Sequence, residues 1–447
     1  MRLSEMARIL AMRSRLRRRT RWSRERVMQH QAREVERLMA FAKESSAYYR
    51  RVLQPGAPLS EQPVLTKATL LGAFDEIVTD PRLHLTDLVS FLDRPKVNDE
   101  LYLGRYRVAA TSGSSGRRSV MASDPAEWAT IIASYARANE WAGVRISARE
   151  RPRMAVVSST AAFHQSNVVA RSIDSPLVKT LRLDAADDLS SVTRRLDEFQ
   201  PEVLVAYASM LRILAGEQLE GRLHVHPRAV NCSSEVLTPQ SRALAEQAWG
   251  VRVFEVYAAT ETGGIGAECA RHNGMHLFED LLVVEPVDDA YRSVADGVSA
   301  SRLLVTVLPS RTVPLIRYEL TDRVTMATGE CGCGLPFRLI ASVDGRSDDL
   351  LQLPGVNQPS VRIHPVLFHR VLEPLPAHGW QVRQRQKGLD VLLVQPDATL
   401  QDAAVVAQLQ AALRTAGVQP LEISIAHVDA IPAGAAGKRP MVVGLRA

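Results

Sequence analysis

Apolar and amphipathic segments alternate along the middle of the chain. Short apolar runs predict buried strands at 153–159, 203–206, 229–231 and 251–256. Segments with helical spacing lie between them, at 190–200 and 239–249. This alternation predicts an α/β fold with a largely parallel sheet covered by helices. Between Leu281 and Val324 strands follow one another with short connections, which indicates a more antiparallel region.

The pattern changes near Gly345. Beyond the segment 345–349, about 100 residues predict a compact α+β unit of three strands and a helix. We therefore expect two domains. Residues 1–345 would form a large N-terminal domain of mixed and parallel sheets covered by helices, with a basic amphipathic helix over 1–50. Residues 346–447 would form a small, mobile α+β domain.

Charge is distributed unevenly along the 447 residues. The formal net charge is +6, but residues 1–34 carry eleven Arg and three Glu, so the rest of the chain is slightly acidic. An arginine-rich segment suits either an anionic partner or a solvated helix face. The basic segments lack interleaved aromatic residues, so we favour the solvated face and expect no nucleic-acid partner. No apolar run or secretory signal predicts a membrane segment, and we expect a cytoplasmic location.

A loop rich in glycine and serine is the first candidate for chemistry. It consists of Thr111, Ser112, Gly113, Ser114, Ser115 and Gly116, followed by Arg117 and Arg118. Glycines let a backbone approach an anion closely, and hydroxyl and N–H groups can bind its oxygens. We predict a polyphosphate-binding loop between a strand and a helix. A flexible surface loop is the alternative, because no Gly-Lys-Ser/Thr completes a P-loop.

Two acidic residues follow apolar strands further along the chain. Glu261 lies in Tyr257–Gly264, where its carboxylate could hold Mg²⁺ and Thr260 could bond a phosphate oxygen. Asp322 follows a second apolar strand and could accept both hydroxyls of a ribose. A capped turn at Glu261 and a turn-forming Asp322 are the alternatives.

Three of the four cysteines fall in a metal-ligand pattern. Cys269-x2-His272 is followed some sixty residues later by Cys331-x-Cys333. Three thiolates and one imidazole form a closed tetrahedral set, which is the type that structural zinc uses. We predict a structural zinc site that takes no part in catalysis. The alternative is free thiols beside a surface histidine.

In their order, these motifs resemble the adenylate-forming superfamily, and within it phenylacetate–coenzyme A ligase and its relatives. The resemblance covers nearly the whole chain, and it adds an adenine-side motif at Ser233–Glu235 and a hinge motif at 345–349. It implies ATP- or AMP-binding roles for Thr111, Ser112, Gly113, Ser114, Ser115, Gly116, Ser234, Glu235, Tyr257, Asp322 and Arg346. It implies catalytic roles for Lys438, Glu261 and Thr260, and a hinge at Asp348.

The resemblance also implies a reaction. A carboxylic acid would attack ATP to give an acyl adenylate and pyrophosphate, and coenzyme A would then accept the acyl group. ATP, Mg²⁺ and coenzyme A are the expected small-molecule partners. An amine or a carrier-protein thiol as acceptor, and a non-catalytic nucleotide-binding relative, remain the alternatives, and a homodimer is left open.

The sequence departs from the family pattern at two motifs. Arg117, Arg118 and Ser119 replace the usual Lys or Pro after the phosphate loop, and Glu319 and Thr321 replace an arginine and a glycine before Asp322. These changes bear on the assignment to phenylacetate itself more than on ATP binding.

An acid pocket should lie beside the adenylate. Its candidate residues are Tyr135, Phe163, His164, Ala258, Ala259, Gly263 and Ile265. The small Ala258 and Ala259 leave room for a ring, so we favour an aryl or arylacetic acid. His164 would contact the carboxylate, form a gate or be purely structural.

Overall fold

The structure of the chain is a computed structural model. It describes residues 3–94, 100–111, 118–146, 150–175, 177–346, 350–432 and 439–445. The loop residues Ser112–Gly116, the hinge residue Asp348 and the catalytic candidate Lys438 lie outside these ranges, as does the side chain of Arg346. The roles assigned to them stay predictions.

In chain order, the helices are α1 (Leu3–Arg19), α2 (Arg24–Ser45), α3 (Ala47–Val52), α4 (Lys67–Gly72), α5 (Phe74–Ile77), α6 (Leu85–Asp93), α7 (Pro125–Trp141), α8 (Gln165–Ile173), α9 (Leu189–Phe199), α10 (Ala208–Leu219), α11 (Pro239–Trp249), α12 (Val366–Leu372) and α13 (Asp402–Thr415). The strands of the larger N-terminal part are β1 (Arg107–Ala110), β2 (Val120–Ser123), β3 (Arg153–Ser158), β4 (Lys179–Asp184), β5 (Val203–Tyr207), β6 (Ala229–Ser233), β7 (Val253–Ala259), β8 (Gly263–Glu268), β9 (Met275–Leu277), β10 (Leu282–Val287), β11 (Ser299–Ala300), β12 (Arg302–Val307), β13 (Tyr318–Leu320), β14 (Asp322–Met326) and β15 (Leu339–Arg346). The later strands are β16 (Leu351–Pro354), β17 (Ser360–Ile363), β18 (Gly379–Arg385), β19 (Gly388–Val394), β20 (Glu422–Val428) and β21 (Val442–Val443).

A ten-stranded mixed sheet forms the centre of the larger part, in the order β11-β14-β15-β9-β8-β7-β6-β5-β3-β4. Strands β4, β3, β5, β6 and β7 are parallel, and the pairs from β7 to β11 are antiparallel. The predicted α/β class, with a parallel region before an antiparallel one, is confirmed. Helices α10 and α11 pack on one face of the parallel strands, while α7 and α8 approach the other.

The single helix predicted over 1–50 is wrong, because serines divide this segment into three helices. Ser23 caps α2 by accepting a hydrogen bond from the Arg26 amide. Ser46 ends α2 and caps α3 through the Tyr49 amide. Helix α1 packs along α7, with the fully buried Leu16 among its contacts.

The glycine-rich loop joins two antiparallel strands, so its predicted place between a strand and a helix is wrong. Strands β1 and β2 pair from Arg107 opposite Ser123 to Ala110 opposite Val120. Helix α7 begins only after β2, where Asp124 and Glu127 form a reciprocal capping box.

The C-terminal elements have a hydrophobic cluster of their own. It is built only from residues between 351 and 442, around the fully buried Trp380 and Phe368. A four-stranded sheet in the order β20-β19-β18-β21 supports it. The boundary predicted at 345/346 stays a prediction. No helix in the described ranges has the length and apolar character needed to cross a bilayer.

Two arginines link the C-terminal elements to the larger part through backbone carbonyls. Arg439, which follows the predicted catalytic Lys438, donates from Nη1 to the carbonyl of Ala185 at 2.7 Å. Arg212 of α10 donates to the carbonyls of Ala377 and His378 at 3.4 and 3.3 Å. A rotation of the smaller part would break both links together.

Candidate active site

A cavity of about 200 Å³ lies between the parallel strands and helices α7 and α8. It opens at the carboxyl ends of the strands, where Thr111, Ser233, Ser234 and Thr260 line it. Ligands bind at this edge in open α/β sheets, because connecting loops diverge there. The cavity therefore brings the candidate phosphate and adenine residues to one place.

Hydrogen bonds close the base of the glycine-rich loop. The amide of Thr111 donates to the carbonyl of Ser119 at 3.0 Å, and the Ser119 amide donates to Thr111 Oγ1 at 2.9 Å. Thr111 is thus held at the mouth of the cavity. Arg118, beyond the loop, lies 4.4 Å from the ring centre of Phe163 and bonds Asp93 at 3.1 Å. The positive charge of Arg118 therefore interacts with Phe163 and Asp93 near the opening of the cavity.

The adenine-side motif is shaped by its backbone. Ser234 has a φ of 70°, in the left-handed region, directly after β6. The carboxylate of Glu235 accepts a hydrogen bond of 2.8 Å from the Ser209 amide in the first turn of α10. The positive end of the helix dipole favours a carboxylate there. Glu235 thus fixes the loop after β6 against α10.

The proposed metal-binding carboxylate of Glu261 is oriented by Tyr318, which lies just before the candidate ribose residue Asp322. Tyr318 Oη donates to Glu261 Oε1 at 3.0 Å. Four residues after Tyr318, Asp322 is buried at the start of β14, directly opposite Arg346 of β15. The fold thereby brings the segments 257–261 and 318–322 and the end of β15 together. Glu319, the charge reversal in the sequence, faces away and pairs with Arg302 at 2.5 Å.

The cavity separates the predicted pocket residues into two groups. Tyr135, His164, Ala258 and Ala259 line it. Gly263 and Ile265 do not, so their prediction as lining residues is wrong. A Cβ on Gly263 would lie 3.1 Å from Ile131 of α7, and Ile265 packs fully buried in the main core. The turn after β7 directs both residues into packing contacts instead.

Two further pocket candidates lie at the start of α8. Phe163 is not among the lining residues, and its ring instead contacts the Arg118 guanidinium described above. His164 Nδ1 lies 2.5 Å from Ser159 Oγ, and the buried ring packs edge-on against Phe163. Contacts with Ser159 and Phe163 therefore fix the ring orientation of His164, and its side chain also lines the cavity.

A second cluster consists of Cys269, His276, Cys331 and Cys333. Their candidate ligand atoms all lie within 4.8 Å of one another. The Nδ1–H of His276 donates to the carbonyl of Phe337 at 3.2 Å, which leaves Nε2 facing Cys333 Sγ at 3.2 Å. Metal-binding histidines commonly use this arrangement, in which a backbone acceptor fixes the tautomer.

The protonation chemistry of the cluster also suits a cation. Burial lowers the pKa of His276, which favours the neutral imidazole that a metal ligand requires. Burial, and then hydrogen bonds with Cys269 and Cys333, raise the pKa of the Cys331 thiol to about 12. A bound cation would offset this shift by stabilising the thiolates. The residues therefore fit the closed Cys₃His set of structural zinc.

The prediction of His272 as the fourth ligand is wrong. Its Nδ1 lies 3.3 Å from Glu268 Oε2, and its ring packs 4.5 Å from that of Phe254. His272 has a φ of 54°, so the chain turns after Cys269 and carries this imidazole away from the thiols. Strand β9 then returns His276 to them. Strand β9 pairs with β15, and the segment just before β15 contains Cys331. This strand pairing indicates His276 as the ligand, which the spacing of the residues alone does not.

Comparisons with known proteins agree with this fold. No protein-family model matches the sequence. The phenylacetate-coenzyme A ligase of Thermus thermophilus is 24% identical over 394 residues, which cover 82% of this chain and 80% of the relative. A crystal structure of 2-hydroxyisobutyryl-CoA ligase in the postadenylation state, bound to an acyl adenylate, aligns with a TM-score of 0.74 at 19% identity. That alignment covers 96% of this chain and 92% of the other.

The same ligase has also been solved in its thioesterification state with the adenylate and CoA. This structure aligns with a TM-score of 0.61 at 19% identity, covering 96% of this chain and 91% of the other. In fold and in the order of its motifs, this chain is similar to the adenylate-forming superfamily. Within that superfamily it is similar to the phenylacetate–coenzyme A ligases.

Proposed function

We propose that this chain is an AMP-forming carboxylate ligase that joins an organic acid to coenzyme A. The observation that carries the proposal is the cavity itself. It begins between the phosphate-loop residue Thr111 and the adenine-side residue Ser234, and it continues inward as an apolar space. A nucleotide at the mouth would thus face the carboxylate of an acid in the interior.

The chemistry of the first step explains the residues at the mouth. A carboxylate oxygen attacks the α-phosphorus of ATP, the bond to the β-phosphate oxygen breaks, and pyrophosphate leaves. Two anions must meet, so the transition state needs positive charge held in place. Glu261, oriented by Tyr318, would hold Mg²⁺ on the phosphates, and Lys438 would supply a cation.

The second step needs a different arrangement of the same site. The thiol of coenzyme A attacks the acyl carbon, AMP leaves, and a thioester forms. We propose that the C-terminal part rotates about Asp348 between the steps and withdraws Lys438. The hydrogen bonds of Arg439 and Arg212 to backbone carbonyls suit such a movement, because they can break together. The higher TM-score with the postadenylation state than with the thioesterification state, 0.74 against 0.61, supports the present arrangement as the first of the two.

Zinc, the substrate class, the location and the oligomeric state stay predictions. Zinc in the Cys₃His cluster would hold the strand after the Thr260 motif to the segment before β15, without an open coordination position. We likewise predict an aryl or arylacetic substrate and a cytoplasmic location, and a homodimer is left open. An amine or carrier-protein acceptor would use the same first step.

Acid-dependent ATP–pyrophosphate exchange tests the proposed function directly. The full chain is incubated with ATP, Mg²⁺, labelled pyrophosphate and a panel of aryl, arylacetic and alkanoic acids. We expect exchange with a subset of the acids and AMP release with coenzyme A. Exchange without any response to coenzyme A would point to another acceptor. Nucleotide binding without exchange for any acid would identify a non-catalytic relative.

A substitution at the proposed magnesium carboxylate gives a more local test. Glu261→Gln should lower exchange by about 100-fold, because removing one group that stabilises transition-state charge has effects of that size. Raised Mg²⁺ should recover part of the rate. Glu330→Gln removes an exposed carboxylate and serves as the matched control. Equal rates in both variants would remove Glu261 from metal binding.

A further inference from the structure

The cavity extends well beyond the nucleotide end. Its deep part is lined by the apolar side chains of Ile146, Met154, Val156, Ile173 and Val178. Ser158 and Met154 of β3 both line it and are four residues apart, which corresponds to roughly 13 Å along an extended strand. The space is therefore long and apolar.

One polar pair interrupts this apolar wall. Asn139 of α7 and Asn231 of β6 both line the cavity, and Asn231 is only 3% exposed. Asn231 Nδ2 donates to Asn139 Oδ1 at 2.8 Å, and Asn139 Nδ2 donates to the Tyr135 carbonyl at 3.0 Å. The pair links the cavity wall to the backbone of α7.

The Tyr135 carbonyl fixes the positions of oxygen and nitrogen in the side-chain amides of Asn139 and Asn231. A carbonyl can only accept, so the Asn139 nitrogen must point to it and the Asn139 oxygen must point to Asn231. That oxygen in turn requires the nitrogen of Asn231. Asn231 Oδ1 is consequently left over, and no group in the described residues donates to it. An unpaired buried acceptor is unfavourable unless a ligand or a water supplies the donor.

The surroundings limit what that donor can be. Among the described residues lining the cavity there is no Lys, Arg, Asp or Glu. A charged ammonium group would therefore find no carboxylate to pair with, and its burial would be costly. A neutral hydroxyl or an aryl amine meets no such obstacle.

We propose that the acid substrate carries a hydroxyl or aryl amine that donates to Asn231 Oδ1. The inference rests on the proposed function, because it places the carboxylate at the nucleotide end near Ser233. Asn231 lies two residues before Ser233 in β6, or roughly 7 Å deeper. That separation matches a donor on the far side of an aromatic ring from the carboxylate, as in a para-hydroxyaryl acid.

The wild-type protein provides the first test. Phenylacetate and para-hydroxyphenylacetate are compared in pyrophosphate exchange, as are phenylpropionate and its para-hydroxy form. In each pair the hydroxy acid should give a kcat/KM higher by about 10- to 100-fold, because the analogue without the donor leaves Asn231 unpaired. Calorimetric titration of the same acids into the protein should show the same preference without turnover.

Two variants assign the preference to one residue. Asn231→Leu removes the acceptor at similar volume and should reduce or invert the preference for the hydroxy acid. Gln165→Leu is the matched control, because Gln165 Oε1 is another buried acceptor in the same cavity without a partner in the described residues. It should keep the preference.

The outcomes separate this inference from the proposed function. Equal kcat/KM values within the wild-type pairs would overturn the inference, as would loss of the preference in Gln165→Leu but not in Asn231→Leu. A failure of every tested acid to support exchange would contradict the proposed function. In that case the calorimetric preference still decides the role of Asn231.

Discussion

Alanine in place of Lys438 should lower acid-dependent ATP–pyrophosphate exchange by about 100- to 1,000-fold while ATP binding stays measurable. The reason is electrostatic: charge that accumulates between carboxylate and α-phosphate is stabilised by a cation already in position, and such groups contribute on this scale. The contact of the neighbouring Arg439 with Ala185 brings this part of the chain to the larger part. Exchange kinetics and nucleotide titration together measure the effect.

Lys387→Ala is the control for this prediction. Lys387 is an exposed lysine of the same C-terminal part, at the turn between β18 and β19. Its replacement should leave exchange unchanged. The thioester-forming step, started from synthetic acyl adenylate, should be much less affected by Lys438→Ala than adenylation is. A lysine variant that exchanges like the wild type would exclude Lys438 from the mechanism.

Loss of metal binding should have the second large effect, on stability. Purified protein should contain about one zinc per chain, and His276→Ala should abolish this content. Because metal binding is coupled to folding, the unfolding temperature should fall by more than about 5 °C. Metal analysis and thermal unfolding measure the two quantities, and addition of a strong chelator to the wild type should reproduce the loss.

His272→Ala is the matched control, since it removes an imidazole from the same segment but outside the cluster. It should retain the zinc. Cys232→Ser should likewise keep the metal, because Cys232 lies in the core between β6 and the helices. Zinc-free protein of full thermal stability, purified without chelator, would refute the site. Zinc lost from His272→Ala alone would make His272 the fourth ligand in place of His276.

Much of the fold can be predicted because local signals agree with the tertiary structure. Helix α11 spans Pro239–Trp249 as predicted, since Pro239 suits its first turn and Gly250 adopts a left-handed φ of 67° after it. The break at Ser46 escapes prediction because an amphipathic pattern continues through it. The hairpin around the glycine-rich loop escapes prediction because β1 and β2 are only four residues each.

The candidate site is predictable to the extent that its chemistry lies in short motifs. Thr260, Glu261 and Asp322 can be chosen as candidates from residue type and sequence neighbourhood, and their roles stay predictions. His276 cannot be chosen over His272 from spacing, because the choice depends on the pairing of β9 with β15. Asn231 cannot be identified as a binding residue from the sequence, because a single amide in a buried strand is recognised as a candidate only when the cavity beside it is known.

The packing of α1 on α7 has a practical consequence for anyone handling the protein. Arg17 of α1 bonds Glu140 at 2.7 Å, and the adjacent Asn139 lines the cavity on the other side of α7. We therefore expect an affinity tag or a deletion that disturbs the first helix to alter which acids are accepted. Substrate surveys should employ a removable tag, and an altered acid profile in a trimmed form should first be attributed to the displaced helix.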